Sequence, residues 1–207
     1  MRRSRATSMK IALLSVGVAL WCTGLQAAPI TYTESATVSG TLGGTAFTNA
    51  VITITGTANT TGVVNDAGIL RNPLSSASFS IAGDGSGTFT DAIQVFNNPA
   101  FSPTAAAGFA DTTLGPISIL DTFNSAFASY DLASAIGPTT GPPFINPGQP
   151  FATTGGALVL NSSGNSTFTA TTGVTVVPLP AALPLFASGL AGLGLLGWRR
   201  KRKAIDA

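Results

Sequence analysis

The chain is predicted to be all-β, with an antiparallel β-sandwich or jelly-roll-like body, and three observations carry that prediction. Residues 30–42 alternate without a break: Ile30, Tyr32, Glu34, Ala36, Val38, Gly40 and Leu42 share one parity, with Thr or Ser at every position between. Short runs of β-branched and aromatic residues then recur as far as residue 170, separated by turn signals rich in Gly, Asn and Asp. No part of that region sustains a 3.6-residue apolar period. Many short strands, frequent turns and no long helix give two packed sheets.

The elements follow in order. Residues 30–42 read as a half-buried strand with a hydroxyl-lined solvent face. Gly43-Gly44 supplies a tight turn into Phe47 and Val51-Ile52-Thr53-Ile54-Thr55, which makes a hairpin. A second hairpin is read from 78–81, the turn Gly83-Asp84-Gly85-Ser86-Gly87, and 88–90. Residues 93–96 and 117–120 are further strands. Residues 121–132 leave strand and short helical turn open, because Phe123, Phe127 and Tyr130 have helical spacing while Ser, Thr and Asp interrupt the run. The repeated Pro and Gly of 137–150 predict a loop, and a late hairpin is expected from 157–160, a turn at 161–165, and 167–170. The body thus spans 28–172, and 173–178 is a short spacer.

Both ends are expected to be targeting segments. Arg2, Arg3, Arg5 and Lys10 precede the apolar run 11–22, and Gly24-Leu25-Gln26-Ala27 fits a signal-peptide cleavage site. Cleavage is placed between Ala27 and Ala28, since cutting after Ala28 would set Pro29 at the scissile bond. Residues 1–27 are then a signal helix that is removed. At the other end, 179–198 holds twenty residues without a charge, about 30 Å as a helix, the thickness of a bilayer core. Lipid leaves helix as the state that satisfies this Gly-rich backbone. Trp198 stands where an interfacial aromatic belongs. Arg199, Arg200, Lys201, Arg202 and Lys203 form a basic stop that keeps the tail 199–207 cytoplasmic and the body outside.

The motif Val177-Pro178-Leu179-Pro180-Ala181, followed by the membrane-length segment and the basic cluster, resembles the PEP-CTERM class of bacterial C-terminal sorting signals. It is most similar to the variant named for the sequence Val-Pro-Leu-Pro-Ala. The resemblance covers about residues 176–203, with Leu179 where the namesake Pro-Glu-Pro has glutamate. It implies export through the secretion machinery, a transient single-pass state, and processing by an exosortase-type membrane enzyme of a variant kind. It further implies delivery to the cell surface or medium and an association with exopolysaccharide or biofilm. On the chemistry of the body it is silent.

Composition narrows that chemistry. Between residues 28 and 198 a single cation, Arg71, faces seven acids, a net charge of −6; the overall basic balance belongs to the two ends. A body so poor in Lys and Arg excludes nucleic acid as a partner. Cys22 is the one cysteine and lies in the signal segment, so packing alone must stabilise the body. The absence of His, Cys and Lys from the body removes Ser/His/Asp triads, thiol nucleophiles, Schiff bases and histidine-ligated metals. Carboxylate chemistry survives, but no spacing singles out a pair for glycoside hydrolysis.

No catalytic residue is therefore assigned, and the protein is not expected to be an enzyme. No cofactor is expected, with calcium the one candidate: Asp84 and Asp91 offer hard oxygens around a glycine-rich turn, but the expected reading is a hairpin turn in which Asp84 bonds its own backbone. Glu34 falls on the apolar parity of the first strand, and a strand-edge position or a register shift is expected rather than burial beside Arg71. Arg71 is expected to be an ion-pair partner or exposed. The expected role is structural or adhesive at the cell surface or in the extracellular matrix. The alternatives are a carbohydrate-binding module, calcium-assisted or not, and a carboxylate-dependent polysaccharide hydrolase.

Overall fold

A computed structural model describes residues 27–113 and 115–173. The sorting motif Val177 to Ala181, the expected span 179–198, the basic stop and all but the last residue of the signal segment lie outside the described residues. No helix among the described residues is long and apolar enough to cross a membrane.

Thirteen strands form two antiparallel sheets. They are β1 (Pro29–Leu42), β2 (Thr45–Asn59), β3 (Val64–Asp66), β4 (Ile69–Pro73), β5 (Ser76–Ile81), β6 (Gly85–Thr88) and β7 (Ile93–Asn98). Then come β8 (Ala106–Asp111), β9 (Ile117–Phe123), β10 (Ile136–Gly141), β11 (Pro143–Phe144), β12 (Pro150–Phe151) and β13 (Leu158–Thr172). The first sheet runs β10-β13-β1-β2-β5-β6, with β12 also on β13; the second runs β11-β9-β8-β7-β4-β3. Two 3-10 turns, Thr60–Gly62 and Ser125–Ser129, complete the fold.

The alternating pattern of β1 does what its period predicts. Ile30, Tyr32, Ala36 and Val38 are buried against Val95, Ala107, Phe109 and Leu120 of the second sheet, in one continuous core. Gly43 and Gly44 take φ of 57° and 87°, the double left-handed geometry that a two-residue hairpin needs. Outside the core, the Thr and Ser hydroxyls of the first sheet bond one another, as Thr57 with Ser76 at 2.7 Å and Thr140 with Thr167 at 2.8 Å. At the body's N-terminus Ala27 is exposed, while the Ala28 N–H donates to Thr60 Oγ1 at 3.1 Å.

Three expectations are corrected, and one left open is resolved. Residues 157–170 are no hairpin: β13 is one strand of fifteen residues, paired with β1 from Leu42↔Leu158 to Ile30↔Thr172. Its Ser-, Gly- and Asn-rich middle, which looks like a turn, is absorbed by the two register shifts of that pairing. The loop 137–150 contains β10, β11 and one residue of β12. Proline is tolerated there because β10 and β11 are edge strands, Pro143 and Pro150 open theirs, and Pro138 sits in the register shift of β10. Between 121 and 132 both open readings are realised in succession: β9 continues to Phe123, and Asn124 then caps the 3-10 turn by accepting from the Ala126 N–H at 2.9 Å. Finally, Glu34 is fully buried in mid-strand, without a shift of register around it and away from Arg71, whose ion pair is with Asp66 at 3.2 Å.

Candidate functional site: the outer face of the second sheet

Strand geometry sends successive residues of β9 to opposite faces. Thr122 points into the sandwich and Asp121 points out. The two sides of this one strand carry the most unusual polar groups of the body.

On the inner side, the Thr122 hydroxyl lies 2.7 Å from Glu34 Oε1 and 2.7 Å from Ser166 Oγ, and Ser166 Oγ donates to the Asp121 carbonyl at 3.1 Å. The Thr122 hydroxyl donates its one proton to Glu34 Oε1, and Ser166 Oγ has one proton to share between Thr122 Oγ1 and the Asp121 carbonyl. Glu34 heads this chain. Its pKa stands well above the usual carboxylate range, chiefly because burial penalises the charge, with the Asp121 carboxyl adding repulsion against a smaller opposing pull from Thr122. Glu34 Oε2 has no partner among the described residues.

On the outer side, the pairings Phe144↔Asp121, Asp121↔Gly108, Gly108↔Phe96 and Phe96↔Arg71 set five residues in one row across β11, β9, β8, β7 and β4. The row has no side chain at Gly108. Asp121 fills the space over that glycine, and beside the row lies a cavity of about 240 Å³, lined by Arg71, Phe96, Asn98, Phe101, Asp121 and Phe144, with Ile69, Ala106, Ala110, Pro116 and Ser118 completing its walls. Phe101 and Phe144 are each 42% exposed. With Phe123 between them, at centroid distances of 5.3 Å and 6.5 Å, they form an aromatic rim. Asp121 is only 4% exposed, and its Oδ1 has no hydrogen-bond partner among the described residues. Burial pushes its pKa up to about 8, against a smaller lowering by the Ser118 hydroxyl. At neutral pH it is therefore largely a neutral acid in a mostly apolar pocket.

A third polar group ties the two sheets at another point. Asn72 Nδ2 donates to Tyr32 Oη at 2.7 Å and to the Asn59 carbonyl at 3.1 Å, and Tyr32 Oη donates to the Leu132 carbonyl at 2.5 Å. Burial pushes the Tyr32 phenol up to about 12. Asn97 Nδ2 donates to the carbonyls of Phe127 and Tyr130, at 2.9 Å and 2.6 Å. These bonds tie the 3-10 turn and the Leu132 carbonyl to the strands and are read as structural.

The residues singled out for calcium are placed apart. Asp84 is exposed in the turn before β6, and Asp91 follows that strand at its other end. The extended residues between hold them on the order of 15–20 Å apart at about 3.3 Å per residue. No group of three His, Cys, Asp or Glu among the described residues gathers into a metal-binding cluster.

Asp121, Phe96, Phe101 and Phe144 were not distinguishable as site residues in the sequence. The one available signal was an acid continuing the apolar run Ile117-Ser118-Ile119-Leu120; it becomes meaningful once the register sets Gly108 beside it. No family model matches the chain, and no curated protein or solved structure is similar to it.

Proposed function

We propose that this is an exported, non-catalytic surface protein, whose β-sandwich serves as a structural or adhesive component and binds exopolysaccharide through the cavity on the second sheet. The signal segment and the Val177–Ala181 motif support secretion and processing by an exosortase-type enzyme. The observation that carries the binding role is the Asp121 carboxyl: nearly buried, without a partner at Oδ1 among the described residues, and in the wall of a cavity with an aromatic rim. A buried polar oxygen left unpaired is costly to a fold unless a solute completes it. Aromatic faces with a few convergent polar groups fit the pattern of a small-ligand site.

A hydrolase needs two carboxyls flanking one bond. Glu34 and Asp121 stand on opposite sides of the second sheet, which favours binding over turnover. The test is a glycan array with the full-length protein beside Asp121→Ala and Phe101→Ala. Binding that both variants lose is the expected result. No binding by the unaltered protein leaves the purely structural role, and turnover of any bound glycan replaces the proposal with an enzyme. Mass spectrometry of the C-terminus of protein recovered from the cell surface tests the sorting step, with an end near Pro180 expected.

A further inference from the structure

The lone cation between residues 28 and 198 is found in the wall of the cavity, at the opposite end of the row from Phe144 and Asp121. Arg71 Nε is engaged by Asp66 Oδ2 at 3.2 Å, which orients the guanidinium; its Nη groups make no hydrogen bond to the described residues. From Arg71 to Asp121 the row crosses three strand spacings of about 4.8 Å, roughly 14 Å between α-carbons. Both side chains turn into the same cavity, and Gly108 between them adds no bulk. The volume of about 240 Å³ exceeds the roughly 150 Å³ that accommodates benzene. It suits one six-membered ring with its substituents.

Resting on the saccharide reading above, we infer that the cavity selects an acidic sugar residue, a hexuronate, with its carboxylate on the Arg71 guanidinium, a ring hydroxyl on the Asp121 carboxyl and its C–H face on Phe96 and Phe101. Guanidinium and carboxylate match in planar, two-pronged geometry, and such charge-assisted bonds are the strong ones. A protonated Asp121 does not repel the anion, so an acid and a base can serve one anionic ring. Asn98 at the wall offers a further amide to a ring hydroxyl. A fully neutral hexose would leave the Arg71 Nη groups to solvent and gain only the weaker contacts.

The test is calorimetric binding of the full-length protein to galacturonate and glucuronate oligomers, to their methyl esters and to the matching neutral oligomers. The free acids are expected to bind at least tenfold more tightly than the esters. Arg71→Gln is expected to lower uronate affinity about ten- to a hundredfold and to lower that of the neutral oligomers far less, with Arg71→Lys between the two. An unchanged thermal midpoint shows that the variants fold. Equal affinity for acid and ester, or no effect of Arg71→Gln, overturns this inference while the saccharide role stands. Failure of every oligomer to bind removes the saccharide role as well.

Discussion

Two carboxyls separated by the thickness of one strand meet opposite fates in this protein. Glu34 is closed in the sandwich, its Oε1 accepting from Thr122, which in turn meets Ser166. Asp121 is equally withdrawn from water, but it lines a cavity that a solute can enter. Burial raises both pKa values; what differs is who can answer them. The inner acid is closed off, with one oxygen bonded to Thr122 and the other enclosed without a partner among the described residues, which makes it a fastening between the sheets. The outer acid is left for something else, which makes it a candidate for recognition.

pH is the strongest way to separate them. Each carboxyl binds its proton more tightly folded than unfolded, so the folded state holds more protons and stability falls as pH rises. For Asp121 that loss begins near the unfolded value of 3.8 and continues to about 8, at up to about 1.4 kcal/mol per pH unit. Glu34 acts in the same direction, from its own unfolded value to well above it. Thermal midpoints should therefore decline between pH 4 and pH 8, opposite to the usual acid sensitivity. Asp121→Asn should flatten the slope over that range, and Glu34→Gln should remove the remainder. A flat profile in the unaltered protein would mean that water reaches one or both groups.

Substitution at Gly108 attacks the outer acid alone. A β-carbon there would strike the Leu120 carbonyl and lie 2.6 Å from both the α-carbon and Oδ1 of Asp121. Backbone on the adjacent strand cannot yield as a flexible side chain would. Gly108→Ala should cost about 3 kcal/mol in urea unfolding and abolish ligand binding together with stability, whereas Asp121→Asn should lose binding and keep the fold.

This difference also marks how far the residues can be read without the fold. The period of β1 and the Gly43-Gly44 turn are local properties, and both are realised as their sequence implies. The length of β13 is not local: Asn161 to Asn165 looks like a turn until β1 supplies a partner along its whole length. β8 escaped notice because its Ala- and Gly-rich sequence has weak strand propensity, although its small side chains open the cavity. The site arises from register. Arg71, Phe96, Gly108 and Asp121 are spread over fifty residues, and only pairing across four strands aligns them.

Thr122→Val tests the inner acid with little change of shape. It strips the hydroxyl from between Glu34 and Ser166, leaving Glu34 Oε1 unpartnered while Ser166 keeps the Asp121 carbonyl. The expected cost is about 2 kcal/mol of unfolding free energy, with saccharide binding retained. Loss of binding without loss of stability would mean that the two sides of β9 are coupled rather than divided.

The smallest effect is expected where the outer row meets solvent. Asp66 is 64% exposed, and its ion pair with Arg71 is of the surface kind, for which contributions run from about 0 to 1 kcal/mol. The β3–β4 hairpin does not depend on it. Ala67 and Gly68 take the left-handed turn at φ of 51° and 92°, and the Gly68 N–H donates to Asn65 Oδ1 at 2.9 Å. Asp66→Asn should therefore change unfolding free energy by less than about 1 kcal/mol while loosening the guanidinium, so that uronate affinity falls severalfold. A large loss of stability instead would make Arg71 a fastening like Glu34, held by the fold for the fold, and would remove the contrast between the two faces at its most exposed point.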